Sequence, residues 1–178
     1  MPFADFLVRS DDLAVIVAGL VAFPAGFTFN VIAISRLDPP GEPMSMGLHG
    51  PMIRSQNLDD LFRLGIGFSD GTKVTTYGRM RPPRQGRTEA ERTLHQRGGG
   101  GGGRRWGQGY WCEPLPPAGP MRFVCRWLAQ GVEEAALEFD AGLILDAAAR
   151  AVAIWPEDKD LPEDESGRVR WPGAAWRG

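Results

Sequence analysis

Lysine is nearly missing from this chain: of 20 basic residues only Lys73 and Lys159 are lysines, and the other 18 are arginines. Arginine carries a planar, always-charged fork that suits carboxylates, phosphates and aromatic faces, so the imbalance matters for any polar surface, although codon bias in a GC-rich genome accounts for it equally well. Cysteine is almost as scarce. Cys112 and Cys125 cannot staple a domain of 178 residues and have no Cys-x-x-Cys spacing, which excludes a disulfide scaffold. They read as reduced core thiols. The two histidines, His49 and His95, leave little for metal ligation or acid–base work. No charge of one sign dominates: the formal net charge is −2, so nothing draws the whole molecule to nucleic acid or acidic lipid, and any polyanion site is local.

What is abundant is glycine and proline, 24 and 15 residues, about a fifth of the chain. That share disfavours a helical bundle and suits short strands and turns, while staying below the roughly 25–30% of unstructured low-complexity chains. The length suits one domain.

The one long apolar run needs a decision between membrane and core. Leu13 to Ser35 is 23 residues without a charge, enough to span a bilayer as a helix. Its centre, however, holds Pro24, Ala25 and Gly26, followed by Thr28 and Asn30, and its remainder is rich in Val, Ile and Phe, which favour pleated strands. Asp11 and Asp12 before it and Arg36 after it give no basic cluster to orient a span. The run therefore reads as a hairpin about Pro24-Ala25-Gly26. The opening MPFADFLVRS has no basic start followed by a small-residue cleavage site, and a cytoplasmic address is expected.

Further strands are legible from alternation. Phe62, Leu64, Ile66 and Phe68 share a face, and Ser69-Asp70-Gly71-Thr72 then turns into Lys73–Thr76. Trp106 to Cys112, Met121 to Trp127 and Ala135 to Phe139 complete about seven strands, the pattern of an antiparallel β-sandwich. Leu143, Ile144, Ala147, Ala148, Ala151 and Val152 fall at helical spacing and predict one C-terminal helix stopped by Trp155-Pro156. The expected organisation is a domain over 1–156 and a mobile acidic tail over 157–178. Two long loops, 37–60 and 77–105, interrupt the strands; the second holds the glycine run Gly98 to Gly103. Loops of that size are functional or disordered.

The most conspicuous chemistry is in and after that second loop. Eight arginines from Arg79 to Arg105 face only Glu89 and Glu91, and Trp106, Tyr110 and Trp111 follow at once. Arginine forks on phosphates with rings stacking on bases make a sequence-tolerant single-strand site, with Arg97, Arg104, Arg105, Trp106, Tyr110 and Trp111 as its residues. The plainer reading makes the glycines a floppy connector, the arginines solvated, and Trp106 and Trp111 core residues of the next strand. The acids of 133–165 could screen such a loop at low salt, or be an unrelated solvated surface.

Other chemistries find less. The glycine run meets G-x-G-x-x-G trivially, but no apolar strand precedes it and no helix follows, so nucleotide binding by that motif is rejected. Met44, Met46, His49 and Met52 offer soft donors for Cu(I), yet one histidine and no cysteine make a weak ligand set, and adaptable methionine contacts explain the cluster better. There is no G-x-S-x-G elbow. The adjacent carboxylates Asp59-Asp60 and Glu133-Glu134 would point to opposite sides of a strand. A hydrolase would need His49 or His95 in a pocket beside a Ser or Cys nucleophile.

The stretches AFPAGFTF, LGIGFSDGTKVT, RGGGGGGRRWGQGYWCEPLPPAGPMRFVCRW and AGLILDAAARAVAIWP resemble a group of uncharacterised β-rich proteins from GC-rich, actinobacterial-type bacteria. The resemblance covers under half the chain and implies a coherent domain without implying an activity. The sequence is thus expected to encode a non-catalytic module that binds a protein partner, through its long loops, with no catalytic residue, cofactor, metal or membrane span. The alternative is nucleic-acid or polyanion binding through the Arg/Gly/aromatic segment 79–111.

Overall fold

The uncharged run does fold back on itself. In the computed structural model, which describes residues 3–37, 61–76 and 92–152, strand β2 (Leu13–Phe23) turns at Pro24-Ala25 into β3 (Gly26–Ser35). Gly26 is needed there because a Cβ would strike the Cys112 carbonyl. Alternate residues Leu13, Val15 and Val17 of β2 and Phe27, Phe29, Val31 and Ala33 of β3 are buried, so one face of the ribbon is core.

Around this ribbon lie β1 (Ala4–Arg9), β4 (Arg63–Gly67), β5 (Lys73–Thr75), β6 (Thr93–Gly102), β7 (Arg105–Glu113), β8 (Pro120–Trp127) and β9 (Val132–Asp140). They form two antiparallel sheets, one in the order β1-β2-β3-β7-β6 and the other β5-β4-β8-β9. The chain is mainly β, a sandwich with a single α-helix, α1 (Gly142–Ala149), among the described residues. The strand count is nine rather than about seven. The two additions are β1, a charged edge strand with only Leu7 fully buried, and β6, which occupies residues 93–102 of the expected loop 77–105. The floppy-connector reading of the glycines is therefore corrected: the adjacent β7 supplies a ladder, and a hydrogen-bonded backbone overrides poor intrinsic strand propensity.

Aromatic rings fill the space between the sheets. Phe29 stacks on Tyr110 with ring centroids 5.2 Å apart and meets Phe123 of the other sheet edge-on at 5.0 Å, while Phe62 abuts Trp127 at 5.5 Å. Burying each such ring is worth about 1.5–3 kcal/mol. Cys112 and Cys125 are both free thiols in this core, and burial pushes each thiol up to about 12. The helix is shorter than its sequence pattern, ending before Arg150; Ile144 and Ala148 face inward, and β2 is the strand it packs against.

One arginine ties the sheets together at their rim. Arg92, at the entry to β6, donates from Nη1 to Asp70 Oδ2 (2.9 Å) and Thr72 Oγ1 (2.8 Å) on the β4–β5 turn and lies over the Phe68 ring at 4.9 Å. Asp70 also accepts from the Thr72 hydroxyl and amide; these bonds, then Arg92, hold its carboxyl below the usual carboxylate range. No described helix is long and apolar enough to cross a membrane. The Met44–Met52 cluster, the arginines from Arg79 to Arg87 and the acidic tail lie outside the described residues.

Candidate functional site

The glycine run becomes legible once its two faces are separated. β6 and β7 form a hairpin in which Gly102 opposes Arg105, and Gly103, at φ +55°, makes the left-handed turn with Arg104. Along β7, Trp106, Gln108, Tyr110 and Cys112 point into the core, while Arg105, Gly107, Gly109, Trp111 and Glu113 point outward. Gln108 is the one buried polar side chain of the core among the described residues. Its amide donates to the carbonyls of Arg97 and of Gly109 (3.1 Å). A register shift between Gln96 and Gly99 brings the Arg97 carbonyl to it, so the irregularity in β6 satisfies a buried amide.

Close approach accounts for two of the five glycines of β6. A Cβ on Gly99 would stand 2.6 Å from Gln108 Oε1 and 2.8 Å from the Gly107 carbonyl, and one on Gly101 would strike the Arg105 carbonyl. Gly98, Gly100 and Gly102 are different: among the described residues a Cβ on any of them would meet nothing within 4 Å, and on Gly107 nothing nearer than 3.8 Å. Neither packing nor a positive φ requires glycine at these four outward positions. Each costs about 0.5–1 kcal/mol relative to alanine in a strand.

The consequence is a trough of about 690 Å³ on the outer face of the five-stranded sheet, floored by Gly98–Gly102, Gly107 and Gly109 and flanked by Asn30, Ile32 and Arg105. The same face is apolar beyond the trough, where Ile34 on the middle strand and Val21, Phe23 and Phe6 toward the far edge are 39–51% exposed. At one end of the trough Trp111 packs on Phe23 (5.6 Å) and donates its indole N–H to Glu113 Oε2 (2.8 Å). Glu113 also has His95 Nε2 at 3.8 Å and accepts from Thr93 Oγ1 at 3.5 Å.

The six residues expected to bind together are split by this geometry. Trp106 and Tyr110 lie in the core, 8% and 1% exposed. Trp111 is on the outer face, so the plainer reading holds for Trp106 and not for Trp111. Arg97 is exposed beside the trough, Arg104 sits at the hairpin turn with Nη1 2.9 Å from the Arg36 carbonyl, and Arg105 flanks the trough. Arg92, read as solvated, is the strut between sheets. His95 stands beside Glu113 rather than beside either cysteine, His49 is outside the described residues, and no cluster of three His, Cys, Asp or Glu suited to a metal occurs among the described ones. Sequence reasoning missed the trough, Asn30, Ile32, Gly107 and Gly109. The signal was present: bulky and glycine residues alternate from Trp106 to Tyr110.

No family model, no curated protein and no solved structure matches this chain.

Proposed function

We propose that this protein is a non-catalytic protein-interaction module and that its contact surface is the outer face of the five-stranded sheet. The observation that carries the reading is the alternation in β6: Gly99 and Gly101 are demanded by close approach, whereas Gly98, Gly100 and Gly102 have no neighbour within 4 Å of a Cβ among the described residues. Glycines that weaken a strand without serving its packing keep a surface clear, and a contiguous apolar face beside them is the usual mark of a protein contact. A cytoplasmic address suits the two buried thiols, which remain unpaired. Of the three rings in the polyanion alternative, only Trp111 lies on the surface, and its N–H is engaged by Glu113.

The test is a shelf-filling substitution, Gly100→Val, compared with the distant control Glu138→Lys by affinity capture from the native cell. Gly100→Val is expected to fold normally and lose the proteins that wild type retains, with the control unchanged. Equal capture by all three would remove the reading. Salt-sensitive retention of single-stranded oligonucleotide that depends on Arg97, Arg104 and Arg105 would favour the polyanion alternative instead.

A further inference from the structure

The register of the five strands shows what shape of partner the face accepts. Reading across the sheet from β1 to β6, one outward row is Phe6, Ile16, Ile32, Gly107 and Gly100. Its large, exposed ring stands at one end and its bare glycines at the other, with Ile32 on the middle strand. The neighbouring row is Arg9, Ala14, Ile34, Arg105 and Gly102, again long at one end and bare at the other. Packed sheets stand about 10 Å apart with their side chains interdigitated, and a long side chain on one is best accommodated by a short one opposite it. A row that runs from long to bare is complementary to itself reversed.

Resting on the interaction reading above, we propose that this face pairs with the same face of a second copy of the chain, about a two-fold axis running along β3. That operation lays Phe6 of each copy over the partner's Gly100, Ile16 over Gly107, and Ile32 over Ile32. It also lays Arg9 over Gly102 and Arg105 over Ala14, which sets Arg9 one strand spacing, about 4.8 Å, to the side of the second copy's Arg105 in the last row of the sheet. The outward glycines then have a role: they receive the partner's Phe6 ring. Five strands at about 4.8 Å and four rows at about 6.8 Å give an interface of roughly 650 Å² per copy. Doubled, that is about 1,300 Å², within the roughly 1,200–2,000 Å² of a specific stable contact. Such an isologous contact closes on itself and leaves no sticky remainder.

The decisive experiment uses engineered thiols. Phe6 and Gly100 lie on opposite edges of the same sheet, four strand spacings or about 19 Å apart, beyond the reach of a crosslinker that just spans the roughly 10 Å between packed sheets. The double variant Phe6→Cys/Gly100→Cys is expected to give a covalent dimer with a short bis-maleimide whose reach matches the roughly 10 Å between packed sheets, while each single variant gives no covalent dimer because its thiol is about four strand spacings to the side of its own copy. Native Cys112 and Cys125 are buried and do not compete. No dimer from the double variant, or equal dimer from the singles, overturns the proposal.

Sedimentation of the unmodified chain over a concentration series keeps the question decidable should the double variant misfold. A monomer–dimer equilibrium is expected, weakened at least about tenfold by Gly100→Val. A chain that stays monomeric overturns the proposal. If capture from the cell is then still abolished by Gly100→Val, the interaction reading stands with another partner; if capture is unchanged, both fall.

Discussion

Replacing Gly99 and Gly100 one at a time by alanine gives opposite results if β6 faces as described. At Gly99 the new methyl would stand 2.6 Å from Gln108 Oε1 and 2.8 Å from the Gly107 carbonyl. Backbone cannot yield cheaply, so the Gln108 amide must move and leave the Arg97 carbonyl without its partner. An orphaned buried polar group costs about 1–3 kcal/mol and overpacking a similar amount, so Gly99→Ala is expected to destabilise by about 2–4 kcal/mol. At Gly100 no described residue lies within 4 Å, and alanine restricts the unfolded chain, stabilising by about 0.5–1 kcal/mol. A difference near 4 kcal/mol corresponds to melting temperatures about 8–16 °C apart for a domain of this size. Thermal and urea unfolding, followed by circular dichroism at a dilution where association does not contribute, measure it directly. Equal destabilisation at the two positions, or a larger loss at Gly100, would refute the assignment of inner and outer glycines.

Gln108→Leu is expected to cost about 1–3 kcal/mol by the same unfolding assay, since it keeps the volume but leaves the Arg97 carbonyl buried and unpaired; a neutral result would mean that the β6 irregularity does not depend on that amide. Acid should loosen the rim strut. Because the Thr72 hydrogen bonds and Arg92 lower the Asp70 pKa in the folded chain, the stabilisation is present above the ordinary carboxylate range and is lost as the pH falls through the depressed value. Asp70→Asn is expected to flatten this acid limb of the stability–pH curve, and an unchanged limb would show that the Arg92–Asp70 contact contributes nothing.

Alternation of apolar and polar residues made β2 to β5 and β7 to β9 legible in the sequence, because each buries one face and period-two patterning survives any detail of packing. The two strands that escaped are those without such a pattern. β1 buries only Leu7 fully and carries Asp5 and Arg9, as edge strands do. β6 is half glycine, so neither propensity nor periodicity could identify it; pairing with β7 makes it a strand, a tertiary effect. The aromatic cluster was visible as composition, but its facing was misjudged. Trp106 and Trp111 are five residues apart, and in a regular strand an odd separation puts two side chains on opposite faces. The trough was beyond reach for a different reason: it is made of absent side chains on two strands brought into register, and its recognition required knowing which glycines the packing already explained.

The claim that the outer face of the five-stranded sheet is occupied by protein is tested most directly by a photo-crosslinking amino acid placed at position 100 and, as a control, at position 138 on the other sheet, with irradiation in the native cell. Adducts of defined mass are expected from position 100, with a second copy or another protein, and none from position 138. Adducts from both positions alike, or from neither, would contradict it.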